Sequence, residues 1–293
     1  MVRADNVSER GDPREGVTTD ATEPHTALND TLAAGLEPIA GVPDFWPRVA
    51  RSHHVVLMLD YDGTLAPFQV DRHTAKPLPG VIDALLAIQA QPNTLLALIS
   101  GRPVAEIDRL VGADRFMIAG THGFELFQPG SGLTQHPLEL TDQAILDAAE
   151  EEAARLLGPE WTERKIATVA AHVRHLPAIE AELVVETLAE RWIALTNERT
   201  EVRRFNGGVE MRVRGRDKGS VVRELLAMAP PDALAVYIGD DDTDEDAFKA
   251  LPDGGIGIKV GNTEAATAAE GRMASCESVR QFLWNWNKLR QSA

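Results

Sequence analysis

The chain has 293 residues, 44% of them hydrophobic and 25% charged, with a formal net charge of −16. Such a composition supports a sizeable core, but so acidic a chain repels nucleic-acid backbones and anionic membranes, and neither is expected as a partner. The single cysteine, Cys276, excludes an internal disulfide or a cysteine-built zinc site and suits a reducing cytoplasm, and no apolar run is long enough to span a membrane.

Residues 1–45 read as a flexible tail. The first thirty are rich in Asp, Glu, Thr, Arg and Pro and poor in large apolar side chains, too few to offset the entropy of ordering. A short helix is expected near 31–36, and order from Phe45-Trp46-Pro47. The run Val55–Leu59 then reads as a strand buried on both faces, ending in Asp60. Residues 79–90 space Val81, Ile82, Leu85, Leu86 and Ile88 as a helix does. Residues 94–99 predict a second strand ending in Ser100-Gly101-Arg102, 104–111 a helix, and 116–119 a third short strand.

The pattern changes after about residue 136. Residues 142–157 predict an acidic amphipathic helix, 161–173 a strand or hairpin, and 179–195 another helix. Segments 201–205 and 209–213 flank Asn206-Gly207-Gly208, a hairpin turn. The first pattern then resumes, with a helix over 219–227, a strand over 235–238 ending in Gly239-Asp240, and a last strand over 256–260. Trp284 and Trp286 read as core anchors. The expected fold class is α/β: a doubly wound parallel sheet over 46–136 and 214–293, with a smaller α+β domain inserted over 137–213.

Ligands of open α/β sheets bind beyond the carboxyl ends of the strands. Three strands end there in polar residues: Asp60-Tyr61-Asp62-Gly63-Thr64, Ser100-Gly101-Arg102, and Gly239-Asp240-Asp241-Asp242-Thr243-Asp244. Lys218 opens the helix before the last of them. Clustered carboxylates repel one another unless a hard cation such as Mg²⁺ joins them. Beside such an ion one carboxylate can attack phosphorus, a second can serve as general acid and then base, and a hydroxyl and a lysine can hold the remaining oxygens. Taken alone, Ser100 also reads as a helix N-cap, Lys218 as a surface lysine and Arg102 as the partner of a nearby carboxylate. Asp242 and Asp246 read as solvated, and the spacing of His172 and His175 is not taken as a metal pair.

Asp60–Leu65 resembles the DxDGT motif of the haloacid-dehalogenase-like phosphohydrolases, and Ser100, Lys218 and Gly239-Asp240-Asp241 follow in the order of its other three motifs. Within that superfamily the chain resembles the trehalose-6-phosphate phosphatases, through LDYDGTLAP (59–67), ISGRP (99–103), GTHGFEL (120–126), GDDDTDEDAF (239–248) and GIKVG (257–261). Glu163, Lys165, His172 and Arg174 resemble that family's ExK…HxR cap pattern. The resemblance covers about 48–285 and leaves out the tail.

It implies a HAD-like Rossmannoid core with a C2-type cap, placed between the second and third motifs, and the following roles. Asp60 is the nucleophile and a metal ligand. Asp62 is the general acid/base and gives its backbone carbonyl to the metal. Asp240 is the third ligand, with Asp241 or Asp244 close behind, and the metal is Mg²⁺. Ser100 and Lys218 hold the phosphoryl group. Arg102, His122, Glu163, Lys165, His172, Arg174 and Glu210 contact substrate. The implied reaction is hydrolysis of trehalose 6-phosphate through an aspartyl-phosphate, in the cytoplasm, with a trehalose-phosphate synthase as an admissible partner. Another sugar phosphate (of sucrose or glycosyl-glycerol), a phosphomutase, and a catalytically silent sugar-phosphate-binding regulator stay open. Retention of Asp62 and of every metal-ligand position speaks against the silent form.

Overall fold

Strand β1 (Val55–Asp60) is buried along its whole length, as an unbroken apolar run requires when helices cover both faces of a parallel sheet. The computed structural model describes residues 31–69, 72–112, 115–205, 207–261 and 265–291. β1 pairs in parallel with β2 (Thr94–Ile99) on one side and β10 (Leu234–Gly239) on the other. Beyond β2 lies β3 (Met117–Gly120), then an antiparallel edge of β4 (Glu125–Gln128) and β5 (Gly132–Gln135). Beyond β10 lie β11 (Ile256–Val260) and β12 (Gly271–Met273), both parallel. The strand order is therefore β12-β11-β10-β1-β2-β3-β4-β5. The chain works outward from β1 in one direction and later starts again beside it in the other. The carboxyl ends of β1 and β10 thus flank a topological switch point.

Alternate residues of β1 serve two apolar clusters. Val55, Leu57 and Leu59 join Phe45, Trp46, Leu85, Ile107, Phe282 and Trp286, brought by helices α1 (Phe45–Arg51), α2 (Val81–Gln89), α3 (Val104–Val111) and α8 (Cys276–Arg290). Val56 and Met58 join Val222, Leu225 and Phe248, brought by α6 (Lys218–Leu226) and α7 (Asp244–Ala250).

A second, antiparallel sheet of order β6-β7-β9-β8 is built from β6 (Thr162–Arg164), β7 (Thr168–His172), β8 (Thr200–Phe205) and β9 (Gly208–Val213). Helices α4 (Leu140–Leu157) and α5 (Ala178–Leu195) cover one of its faces, where Leu146, Leu188 and Trp192 meet Val169, Ala171, Val209 and Met211. Period-two alternation sends the intervening residues to the other face. There Glu163 pairs with Ala170 and Ala170 with Glu210, and Glu210 pairs with Arg203. That row faces the carboxyl edge of the large sheet.

Several expectations need correction. The strand over 256–260 is not the last, because β12 follows it. Trp286 is fully buried, but Trp284 is 46% exposed, on the side of α8 opposite the stripe of Val279, Phe282, Leu283 and Trp286. The expected tail over 1–45 is too long. A helical turn covers 31–34, Ala33, Ile39 and Val42 pack into the first cluster, and Ala40 bridges to Arg272 of β12. The part of that expectation falling on residues 1–30 lies outside the described residues. No helix among the described residues is long and apolar enough to cross a membrane.

Candidate active site

Asp60 ends β1 at the switch point and is almost wholly buried. Lys218 opens α6, where Asp217 completes a capping box: its carboxylate accepts from the Ser220 amide at 2.7 Å, and Ser220 Oγ accepts from the Asp217 amide at 3.0 Å. A lysine at a helix N-terminus meets the wrong end of the macrodipole. Two carboxylates compensate, since Lys218 Nζ donates to Asp60 Oδ1 and to Asp244 Oδ1, each at 2.6 Å. Burial opposes the lysine's charge, but Asp244 and Asp60 outweigh it and raise its pKa above the ordinary lysine value. Tyr237 Oη also donates to Asp244 Oδ1, at 2.6 Å, and the Asp241 amide donates to Asp244 Oδ2 at 2.8 Å.

Carboxylate oxygens of Asp60, Asp240 and Asp244 lie within 4.8 Å of one another. Burial is the largest influence raising the Asp60 pKa; Lys218 opposes it, and Asp244 and Asp240 add to it. Asp240 is pushed up to about 7, first by burial and then by Asp244. One ammonium thus faces three carboxyl groups, and their full ionisation needs further positive charge. Asp240 Oδ1 is buried with no hydrogen-bond partner among the described residues. Hard oxygen donors, excess negative charge and an orphaned buried oxygen fit a divalent cation such as Mg²⁺. Of the five ligands expected from the sequence, Asp60, Asp240 and Asp244 make up this group. Asp241 instead turns its Oδ1 to the Asp242 amide, at 2.6 Å. Gly63 makes the approach of Asp240 feasible: its φ is +75°, and a Cβ there would stand 2.1 Å from Asp240 Oδ2.

The Asp62 carboxylate, expected to serve as acid/base while only its backbone carbonyl meets the metal, lies outside that group. Arg102 grips both its oxygens, Nε to Oδ2 at 2.6 Å and Nη2 to Oδ1 at 2.6 Å. The other side of the guanidinium donates to Glu106. Burial works against the Arg102 charge, but Asp62 and Glu106 outweigh it and raise its pKa above the ordinary value. Ser100 Oγ accepts from the Arg102 amide at 3.1 Å.

A cavity of about 300 Å³ opens above these groups. Every site residue expected from the sequence lines it except Asp244, which is fully buried beneath. From the second sheet come Glu163, Lys165, His172, Arg174 and Glu210. Glu163 Oε2 lies 3.0 Å from His172 Nε2, and Lys165 Nζ reaches across to the carbonyl of Gly101 at 3.2 Å. His175 stacks instead on Trp161, with ring centroids 3.6 Å apart. Burial first, then Lys165 and Lys218, lower the His122 pKa and keep the ring neutral. Burial raises that of Glu210, opposed by Lys165 and Arg212.

Sequence reasoning passed over several residues of the site, among them Tyr237, Glu106, Phe68 and Phe205. Tyr237 sits inside an apolar run and reads as core. Glu106 lies on a helix whose other polar residues face water. Phe68 lines the cavity from a loop that carries no pattern. The signal for Glu106 was its i, i+4 spacing from Arg102.

The doubly wound sheet with its acidic switch point is the fold of the haloacid-dehalogenase-like hydrolases. One such hydrolase from Bacteroides thetaiotaomicron superposes with a TM-score of 0.59 at 18% identity, over 79% of this chain and 99% of that one. The chain belongs to the trehalose-phosphatase family, whose model matches residues 58–275. It is 30% identical to a trehalose-phosphate phosphatase of Mycobacterium bovis over 289 residues, 93% of this chain and 71% of that protein. It is 32% identical to an uncharacterized glycosyl hydrolase of Mycobacterium tuberculosis over 86% of this chain, but spans only 20% of that protein's length. The C-terminal domain of trehalose-6-phosphate phosphatase from C. albicans superposes with a TM-score of 0.71 at 21% identity, over 83% of this chain and 96% of that one.

Proposed function

We propose that the protein hydrolyses trehalose 6-phosphate to trehalose and inorganic phosphate, through an aspartyl-phosphate on Asp60. The observation that carries this reading is one cavity lined jointly by Asp60, Lys218 and Asp240 of the large sheet and by Glu163, Lys165 and Glu210 of the small one, in a chain of the trehalose-phosphatase family.

In this reading, residues 46–136 and 214–293 are the catalytic core and 137–213 the cap. Lys218 and Ser100 hold phosphoryl oxygens and orient the phosphorus towards Asp60. An oxygen of Asp60 attacks phosphorus, the bond from phosphorus to the sugar oxygen breaks, and Asp62 supplies the proton that the sugar oxygen takes. Asp62 then accepts a proton from water as that water attacks the same phosphorus. The bond to Asp60 breaks, and inorganic phosphate leaves. Mg²⁺ held by Asp60, Asp240 and Asp244 would neutralise charge on the phosphoryl oxygens. Lys218 is held protonated by Asp60 and Asp244 before attack, and by Asp244 and the phosphoryl oxygens while Asp60 carries the phosphoryl group. The cap side chains pair with sugar hydroxyls and exclude water from the acyl phosphate. The reading places the protein in the cytoplasm, beside a synthase that supplies the phosphorylated disaccharide.

Release of phosphate from a panel tests it: trehalose 6-phosphate, sucrose 6-phosphate, a glucosyl-glycerol phosphate and glucose 6-phosphate, each with and without Mg²⁺. Trehalose 6-phosphate with Mg²⁺ should give the highest kcat/KM. No release from it under any condition would overturn the assignment.

A further inference from the structure

Two phenylalanines have no part in the chemistry above. Phe68, in the loop after β1, is 70% exposed, and Phe205, at the end of β8, is 38% exposed. Both line the catalytic cavity. Both also line a second, larger cavity of about 950 Å³ that adjoins it. The residues common to the two chambers are otherwise charged or polar: Arg174, Glu210, Asp240, Asp241 and Thr243. Phe68 and Phe205 are thus the aromatic groups on the wall where one chamber passes into the other, one from the large sheet and one from the small. The Phe205 ring is already placed. It meets His172 edge-on, with centroids 5.6 Å apart and planes at 69°. Gly208, paired with it across the turn, leaves it room, since a Cβ there would stand 2.7 Å from Phe205 Cζ.

We propose that Phe68 and Phe205 form an aromatic clamp for the second sugar ring of a disaccharide phosphate, and so read the length of the substrate. The inference rests on the proposed function and deepens it. The phosphoryl end is anchored at Asp60 and Lys218, which puts the first ring in the smaller chamber. The second ring then passes the shared wall into the larger one. A pyranose is amphipathic: its hydroxyls point outward at the edge, and its C–H groups form apolar faces. Charged side chains satisfy the edge, but a face needs a flat apolar partner. Phenylalanine supplies one with few rotamers to lose, and its burial by the ligand releases water from apolar surface. Because each sheet contributes one ring, contact with the second sugar also favours the closed arrangement of the two domains.

The test compares kcat/KM for trehalose 6-phosphate and for glucose 6-phosphate, which has no second ring, in the wild type and in Phe68→Ala, Phe205→Ala, Phe68→Trp and Phe205→Tyr. The ratio of the two values should fall about ten-fold in each alanine variant, the scale of one lost aromatic contact, chiefly through KM for the disaccharide. The flat replacements should keep the ratio within about three-fold of wild type. Melting temperatures guard against misfolding, and Phe68→Ala alters a side chain already in water. If the wild type prefers trehalose 6-phosphate but either alanine variant lowers the ratio by less than about five-fold, or both substrates suffer alike, the clamp is overturned and the function stands. If the wild type hydrolyses trehalose 6-phosphate without preferring it to glucose 6-phosphate, the clamp alone is overturned; if it releases no phosphate from trehalose 6-phosphate, both are.

Discussion

The guanidinium of Arg102 holds both carboxylate oxygens of Asp62 at 2.6 Å, so the side chain expected to shuttle the proton is fixed in place by one expected to touch the sugar. Glu106 secures the far side of that guanidinium. The three form a line from the interior of α3 to the mouth of the site.

Replacing Arg102 with Ala should act on catalysis and stability separately. Asp62 loses its anchor, and kcat should fall by about ten- to a hundred-fold, as for a misplaced acid/base. Glu106 loses its guanidinium in a buried setting, which costs about 3–5 kcal/mol when one partner of a buried pair is removed. The double change Arg102→Ala with Glu106→Gln should recover much of the melting temperature and none of the kcat. Recovery of both would show that Arg102 does not position Asp62.

Asp60→Asn should abolish turnover, by at least about a thousand-fold, as expected on losing a covalent nucleophile. The fold should not suffer. Burial and like charges raise the Asp60 pKa, so at neutral pH the ionised carboxylate costs stability, and a neutral amide removes that cost. In metal-free buffer the variant should melt at or above the wild-type temperature. A mutant retaining a tenth of the activity would exclude the aspartyl-phosphate.

Chelation by EDTA should remove activity, and Mg²⁺ should restore it. The second readout is thermal. A cation bound only by the folded state stabilises it by about 2.7 kcal/mol at a hundred times Kd, so Mg²⁺ should raise the melting temperature. Asp244→Asn should blunt that rise. Ca²⁺ should raise the melting temperature yet fail to support turnover, because its looser coordination shell misplaces the nucleophile. Full turnover in EDTA would remove the metal from the mechanism.

Glu163→Ala and Lys165→Ala should each lower kcat/KM for trehalose 6-phosphate by about ten-fold, one good polar contact. The loss on p-nitrophenyl phosphate, too short to reach the cap, should be smaller for Glu163 than for Lys165. The reason is that Lys165 also bridges to Gly101, 3.2 Å away beside Ser100. Equal losses on both substrates for Glu163→Ala would show that it does not read the sugar.

Asp60, Ser100, Lys218 and Asp240 were legible because each stands at the border of an apolar run, where the change of character marks the end of a strand or the start of a helix. Asp244 was legible only as one acid in a string. Its rank over Asp241 comes from α7, whose first turn points it inward to Lys218 and Tyr237. Tyr237 was invisible for the opposite reason: its ring is core, and only its hydroxyl belongs to the site. The strands β5 and β12 at the two edges of the large sheet, and β4 beside β5, have only three or four residues, too short for alternation to register. Trp284 and Trp286 differ by two residues, which on a helix is more than half a turn, and so one is buried and the other exposed.

The small sheet with its two helices occupies one uninterrupted stretch, Leu140 to Val213, so the chain leaves the large sheet once, after β5, and rejoins it once, before α6. Inheritance can therefore act on the two halves at different speeds. Variation within that stretch can reshape the cavity wall formed by Glu163, Lys165 and Glu210 while leaving the carboxylates at the ends of β1 and β10 untouched. A single recombination event with one crossover on either side would exchange that wall of the cavity between lineages, while Phe68, Arg102 and His122 stayed with the recipient's carboxylates.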